Sequence, residues 1–323
     1  VDSGEGASRP VVRHNGPGLP PVRVFQTQGL WHRPAFGSIA IARRLPRTSQ
    51  DLSARGVGVA MSSAPVQFLT SRDNALLKDL RRLANDATAY RKQGRYWVEG
   101  DHLCRAALTR GVRPAVAVFK ETYWPLAPVQ YSQDAIKIVV IPDRLFQEIS
   151  GLESPSAFGF ILDLPPQRGV LANEASVILD RVQDAGNVGS ILRSASAFGF
   201  KQVVALKGTA SLWSPKVLRA GMGAHWGLQL IEGAEMNDLR GLTVPVVVTS
   251  SHQGLFLHDA LRNDSLPMPC AWALGHEGQG VCTELEDMAA LHIRIAQPGG
   301  EESLNVAAAA AICLQASASS VLT

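Results

Sequence analysis

From Thr70 onward apolar residues recur with a helical period: Leu76, Leu77, Leu80 and Leu83 fall three and four residues apart, with Lys78, Arg81 and Arg82 between them. A basic turn over Tyr90–Arg95 runs into a strand at Tyr96-Trp-Val-Glu99. Gly111–Phe119 and Ile136–Ile141 read as short buried strands around a Pro/Tyr-rich loop, and Asp143–Ser150 as a short helix. Pro165, Pro166 and Gly169 mark a linker. Beyond it strands (Ser176–Leu179, Gln202–Leu206, Val244–Thr249, Ala271–Leu274, His292–Ile295) alternate with helices (Gly189–Phe198, Pro215–Ala220, Ser303–Leu314). These strands are unbroken runs of Val, Ile, Leu and Ala, the composition of a sheet covered on both faces, so a mostly parallel α/β sandwich is predicted.

The pattern divides the chain into residues 1–62, 63–166 and 167–323. The first segment alternates Gly, Pro, Arg and Ser with isolated hydrophobes and shows no sustained period, so it reads as a disordered tail. Met61 directly precedes the first orderly sequence, which makes it a candidate start with residues 1–60 as an upstream extension; an arginine-bearing RNA arm is the competing view. The net charge of +3 is set by this tail, where eight Arg face three acids; the remaining chain carries 23 basic and 25 acidic side chains. Affinity for a polyanion must therefore come from a local basic surface. Cys104, Cys270, Cys282 and Cys313 form no C-x-x-C pair and have no His at ligand spacing, so neither a metal site nor a disulfide framework is indicated. No apolar run approaches membrane-spanning length and no compact signal opens the chain, so a cytoplasmic protein without a membrane segment is expected.

Three segments carry candidate chemistry. In the first, a strand ends at Asp180 and a loop with Asp184, Gly186 and Asn187 feeds a helix bearing Arg193, expected to point toward the carboxyl edge of the sheet. Read alone, Asp184 and Asn187 could simply cap that helix and Arg193 could be a solvated charge. In the second, a buried strand breaks into Gly275-His-Glu277-Gly278-Gln-Gly280, which lets a ligand approach the backbone and leaves Glu277 at the strand end. His276 and Glu277 are adjacent on extended chain and diverge, which argues against a shared metal. In the third, Ile295-Ala-Gln-Pro-Gly-Gly-Glu-Glu-Ser303-Leu304-Asn305-Val306 runs into the alanines 307–311 and presents backbone N–H groups at a helix entrance. No G-x-S-x-G elbow surrounds Ser303, so capping or ligand contact suits it better than a nucleophilic role.

In this order and at these strand ends, the three segments resemble the motifs of the SpoU (TrmH-type) RNA ribose 2′-O-methyltransferases, over about Ser176–Leu314. Ser214–Ala224 resembles the family's segment between its first two motifs. A weaker similarity to its RNA-binding domain covers Phe68–Leu164, notably Tyr96–Leu103. Ala185, His276 and Ala296-Gln297 depart from the usual residues without removing a group that does chemistry. The resemblance implies an α/β SPOUT-type methyltransferase domain with a trefoil knot, a smaller L30e-like RNA-binding domain before it, a homodimer, and S-adenosyl-L-methionine as cofactor. It assigns Gly275, Ile295 and Leu304 to the cofactor, and Arg193, Asn187, Glu277, Ser303 and Asn305 to the ribose and the methyl group.

RNA is expected on a stripe of Arg72, Lys78, Arg81, Arg82, Arg91, Lys92 and Arg95, with Tyr90, Tyr96 and Trp97 available for stacking; a solvated helix face with core aromatics fits the same residues. Ribosomal RNA, 23S rRNA in particular, is preferred over tRNA by analogy with larger family members. A non-catalytic knotted RNA-binding protein is the rival class, against which the intact Arg193, Gly275 and Asn305 speak. A nucleotide-binding oxidoreductase or hydrolase would require a dinucleotide loop, a P-loop lysine or a serine elbow, and the chain has none.

Overall fold

The computed structural model describes residues 64–250, 252–299 and 303–320; the expected tail and the candidate start at Met61 lie outside them. Residues 66–163 build a five-stranded sheet from β1 (Val66–Phe68), α1 (Ala75–Asn85), α2 (Ala89–Gln93), β2 (Arg95–Glu99), α3 (Asp101–Thr109), β3 (Val116–Lys120), β4 (Lys137–Ile141), α4 (Asp143–Ile149) and β5 (Phe158–Asp163). The strand order is β1-β4-β3-β5-β2, with β5 antiparallel to both neighbours. Asn74 starts α1 by accepting from the Leu76 amide at 3.0 Å, and Leu77, Leu80 and Leu83 are buried as their spacing predicts.

The second sheet follows from β6 (Ser176–Leu179), α5 (Ala185–Ala197), β7 (Gln202–Leu206), α6 (Pro215–Gly221), β8 (Gln229–Ala234), β9 (Val246–Thr249), β10 (Leu255–Phe256), α7 (Leu257–Arg262), β11 (Ala271–Leu274), α8 (Thr283–Met288), β12 (Leu291–Arg294) and α9 (Val306–Ser320). Its seven strands, ordered β10-β12-β9-β11-β6-β7-β8, are all parallel. The continuous apolar runs resolve into period-two burial. Ile178, Val204, Val248 and Ala273 enter one core layer, while Val177, Leu179, Val203, Trp272 and Leu274 enter the other. The central β11 is tied to α9 through Trp272, whose Nε1 donates to Ser317 Oγ at 2.8 Å.

Several elements depart from the sequence expectation. Helix α5 begins four residues earlier, at Ala185, because Asp184 accepts from the Asn187 amide at 2.8 Å. Helix α9 begins at Val306 rather than Ser303, because Asn305 Oδ1 accepts from the amides of Ala307 and Ala308. Strands β1, β5, β8 and β10 and helices α2, α3, α7 and α8 are additional to the elements that the sequence pattern predicts. Trp97 Cζ2 would lie 2.4 Å from a Cβ at position 159, so the Gly159 that interrupts the apolar pattern of β5 is required by packing.

Polar contacts join the two sheets. Tyr90 donates to Glu232, Arg91 donates to Glu232 and Ser211 at 3.1 Å each, and Trp226 Nε1 donates to the Tyr96 hydroxyl at 2.8 Å. The connecting segment runs beside β8, with Gln167 donating to the Glu232 carbonyl at 2.9 Å and Gln229 donating to the Gly169 carbonyl at 2.6 Å. Cys104, Cys270 and Cys313 are buried free thiols, and Cys282 is a partly exposed one. Among the described residues no helix is long and apolar enough to cross a membrane.

Close approach of α5 to α6 depends on Gly189: a Cβ there would stand 2.4 Å from Ala220 Cβ and 2.8 Å from the Val217 carbonyl oxygen. Alanine gains about 1 kcal/mol of helix propensity over glycine, but here it must push a helix backbone aside. Gly189→Ala is expected to destabilise the fold by about 1–3 kcal/mol, read as a lower urea midpoint with an unchanged slope.

Candidate functional site

An all-parallel sheet sends every strand out at one edge, so the loops after β6, β9, β11 and β12 meet there although Asp184 and Ser303 lie 119 positions apart in the chain. Glu277, in the loop after β11, organises the meeting. Its carboxylate accepts from the amides of Gln183 and Asp184 at 3.3 Å each and from Asn187 Nδ2 at 3.1 Å. Asn187 Oδ1 in turn accepts from Asn305 Nδ2 at 3.0 Å. Asn187, Glu277 and Asn305, three of the predicted site residues, thus form one chain of hydrogen bonds. The capping role open to Asn187 belongs instead to Asp184, which frees the Asn187 side chain for this chain of contacts.

Partial burial raises the Glu277 pKa, but the donors around it, its own amide, Asn187, Gln183 and Asp184, outweigh that and hold it below the ordinary carboxylate value. Asp184 is likewise lowered, chiefly by the Asn187 amide and then by Lys216, whose Nζ lies 3.4 Å away. Both carboxylates are therefore ionised at neutral pH. The network strength that depends on Glu277 being charged is present above its unfolded pKa and is lost as pH falls through the depressed folded value.

Beside this chain lies a cleft whose lining includes Thr249, Gly275, Glu277, Ile293, Ile295, Gln297, Ser303 and Leu304. All three residues predicted to hold a cofactor line it. Gly275 is required by its own loop: His276 and Gly280 exchange backbone hydrogen bonds of 3.0 and 2.9 Å, and a Cβ on Gly275 would stand 2.1 Å from the Gly280 carbonyl carbon. The His276 ring turns back into the loop and accepts from the Gly278 amide at 3.0 Å, so it diverges from Glu277 as expected. Gln297 Oε1 is buried without a hydrogen-bond partner among the described residues, an acceptor held open in a cleft of mixed apolar and polar lining.

A second tie between the loops is formed by Asp180 and Arg181, which the sequence marked only as a strand end. Arg181 grips the buried Asp180 with bonds of 2.8 and 3.0 Å and reaches Gln279 at 3.0 Å, while Asp180 also accepts from the Cys282 amide at 2.7 Å. Burial raises the Asp180 pKa, yet the guanidinium and the Cys282 amide bring it below its ordinary value.

Arg193 does not join the cluster. Six residues on a helix turning about 100° each place its side chain about 120° around α5 from that of Asn187. It lines a different cavity, with α3 and the turn Gly221–Ala224, and makes no hydrogen bond or ion pair among the described residues. The expectation that it points to the carboxyl edge is corrected by this helical geometry.

The predicted RNA stripe is also dispersed. Arg72 and Arg81 share Glu148, Lys78 pairs with Asp73, Arg82 with Asp79, Arg95 with Asp163, and Arg91 turns inward to Glu232. Lys92 lies on the exposed side of α2. Tyr90, Tyr96 and Trp97 are buried, at 2, 2 and 4% exposure, so they are core and bridging residues rather than stacking platforms.

Residues 174–315 match the SpoU rRNA methylase family. The chain is 28% identical over 248 residues to the 23S rRNA (guanosine(2553)-2′-O)-methyltransferase RlmP of Bacillus subtilis, covering 76% of this chain and 96% of that protein. Among solved structures, a TrmH-family protein from Porphyromonas gingivalis aligns with a TM-score of 0.65 and 30% identity over 76% of this chain and 97% of that one. An AdoMet-bound rRNA methyltransferase from Sinorhizobium meliloti shares the fold, with a TM-score of 0.69 and 24% identity over 80% and 99% of the two chains. With the glycine loop, the Asn187–Glu277–Asn305 chain and the cleft at one sheet edge, these likenesses agree: the chain belongs to the SpoU rRNA methylase family.

Proposed function

We propose that this protein transfers a methyl group from S-adenosyl-L-methionine to a ribose 2′-OH of ribosomal RNA, with 23S rRNA, the substrate named for the Bacillus relative, as the preferred target. The observation that carries this reading is the convergence of Asn187, Glu277 and Asn305 beside a cleft whose walls suit a nucleoside that carries a sulfonium. Ile293, Ile295 and Leu304 offer apolar surface, and Gln297 Oε1, unsatisfied among the described residues, offers an acceptor to a ligand N–H or hydroxyl. When bound, S-adenosyl-L-methionine supplies an activated methyl group. The protein's task is then to position the ribose and help its hydroxyl shed a proton.

Arg193 engages the 2′-OH in this reading. A guanidinium with a pKa above about 12 is a poor base, so it orients the hydroxyl and offsets developing oxyanion charge, with the proton passing to phosphate or water. Asn187 and Asn305 fix the ribose by amide contacts, Glu277 anchors both, and Ser303 borders the reacting groups. Residues 167–323 form the methyltransferase domain, knotted as in other SPOUT proteins; in support, β11 lies between β9 and β6, and α9 packs against both α5 and β11. Residues 63–166 form the L30e-like domain that holds RNA, and the cytoplasm is the setting.

A homodimer completes the reading. The first seven residues of α9 are Val, Ala and Ile, so the helix has no polar face over two turns, and Ile312 is 41% exposed. A second copy covering this surface would also present an Arg193 from outside the chain that carries the cleft, which answers its separation from Asn187.

Incubating the protein with S-adenosyl-L-methionine and protein-free rRNA should give 2′-O-methyl marks detectable by alkali-resistance mapping; an absence of marks on any rRNA or tRNA overturns the proposal. Asn305→Ala is expected to slow transfer by about 10²-fold, and Arg193→Lys, which keeps the charge but loses the planar fork, should also fall well below the parent. Gly275→Ala should abolish the heat of S-adenosyl-L-methionine binding in calorimetry while the fold survives by circular dichroism.

A further inference from the structure

The cavity that Arg193 lines has a volume of about 480 Å³. One wall is α3, whose His102, Arg105, Ala106 and Thr109 fall at i, i+3, i+4 and i+7 and so share a face. The opposite wall is α5 at Arg193, Ser196 and Ala197, the same spacing on a second helix, continued by the turn Gly221–Ala224. Arg110, just beyond α3, reaches across the groove. A Cβ on Gly227 would stand 3.1 Å from its Nη1 and 3.0 Å from Ser196 Oγ, so the bare backbone at Gly227 leaves the room this guanidinium occupies.

The charge of the groove differs in kind from that of the surface around α1. Three arginines and a histidine line it, and among the described residues no carboxylate does. Arg105 pairs with Asp101, whereas Arg110 and Arg193 have no ion pair among the described residues. The basic residues on and around α1 instead have carboxylates within 4 Å, which reduces the net positive field they present. Met222 adds an apolar lip: it is 38% exposed and held at φ 49°, a backbone conformation that a side-chain-bearing residue adopts at a cost. Unpaired guanidinium forks suit phosphate oxygens, and an apolar lip beside them suits a sugar or base.

We propose that this groove, between α3 and the face of α5 that carries Arg193, holds the phosphodiester backbone of the RNA substrate. Arg110, which has no ion pair among the described residues, contacts a phosphate, Arg105 turns from Asp101 to a second one, and Met222 contacts the adjoining sugar or base. The groove thereby leads the RNA to Arg193. Naming RNA as the occupant rests on the methyltransferase reading; the anion-binding character rests on the groove itself.

The test is fluorescence-anisotropy binding of labelled protein-free rRNA by the full chain across a salt series. Arg110→Gln and Arg105→Gln are each expected to weaken binding roughly fivefold to tenfold and to reduce the slope of log K against log salt by about 0.7–0.9. Gly227→Ala, which displaces Arg110, should shift affinity in the same direction. Arg82→Gln on α1 should bind as the parent does, and all four variants should keep the parental heat of S-adenosyl-L-methionine binding, which reports an intact fold. Parental affinity and slope in both groove variants, or a loss confined to Arg82→Gln, overturns the groove. Methyl transfer is scored separately. A protein whose RNA binding depends on Arg105 and Arg110 but that transfers no methyl overturns the catalytic reading and leaves the groove standing; one that methylates while the groove variants bind normally overturns the groove alone.

Discussion

One ionised side chain holds the carboxyl edge of the larger sheet together. Glu277 draws two backbone amides and the Asn187 side chain from the loop after β6, and Asn187 passes the connection to Asn305 at the head of α9. A parallel sheet brings strand ends close but does not set how their loops face each other; a carboxylate with several donors does, because each donor fixes a direction as well as a distance. Asp180 and Arg181 repeat the device one layer deeper, joining the start of the first loop to the amide of Cys282. The cleft with Gly275, Ile295 and Leu304 is the space these two ties leave between the loops.

The helix that supplies Asn187 serves two surfaces at once. Its first turn belongs to the Glu277 chain, while Arg193, Ser196 and Ala197, further along and turned away, face α3 of the smaller sheet. The rigidity of α5, pressed on α6 through Gly189, relates the two surfaces by a fixed rotation and rise. The bridge of Tyr90, Arg91 and Tyr96 to Glu232, Ser211 and Trp226 then fixes the smaller sheet against the larger one, so that α3 keeps its place opposite α5.

Much of this was legible in the chain. β6, β7 and β11 have the boundaries read from their apolar runs, since a strand buried on both faces leaves little room for a polar residue inside it. The three loop motifs named Asn187, Glu277 and Asn305 together, and the sheet joins them. What local pattern missed depends on partners distant in sequence. β5 was hidden because Gly159 looks like a breaker until the Trp97 ring is placed against it, and β8 because Glu232 interrupts its apolar run until Tyr90 and Arg91 reach it. The positive stripe was legible as a count of basic residues, but not as charges already matched by Glu148 or Asp163, which come from another helix and another strand. The facing of Arg193 needed only the angle per residue, provided the true start of α5 was known.

The path of the segment between the sheets has a consequence for how the protein behaves in a crowded solution. β8 closes one side of the larger sheet, and an open outer strand offers unpaired amides and carbonyls on which a foreign strand can extend the ladder. The Gln167 side chain donates to the carbonyl of Glu232, and the Gln229 side chain donates to the carbonyl of Gly169, so the connecting chain lies along this border where such an intruder would dock. The tether that links the two halves thus also acts as a guard against edge-to-edge aggregation, and shortening it would expose that border even if both halves stayed folded.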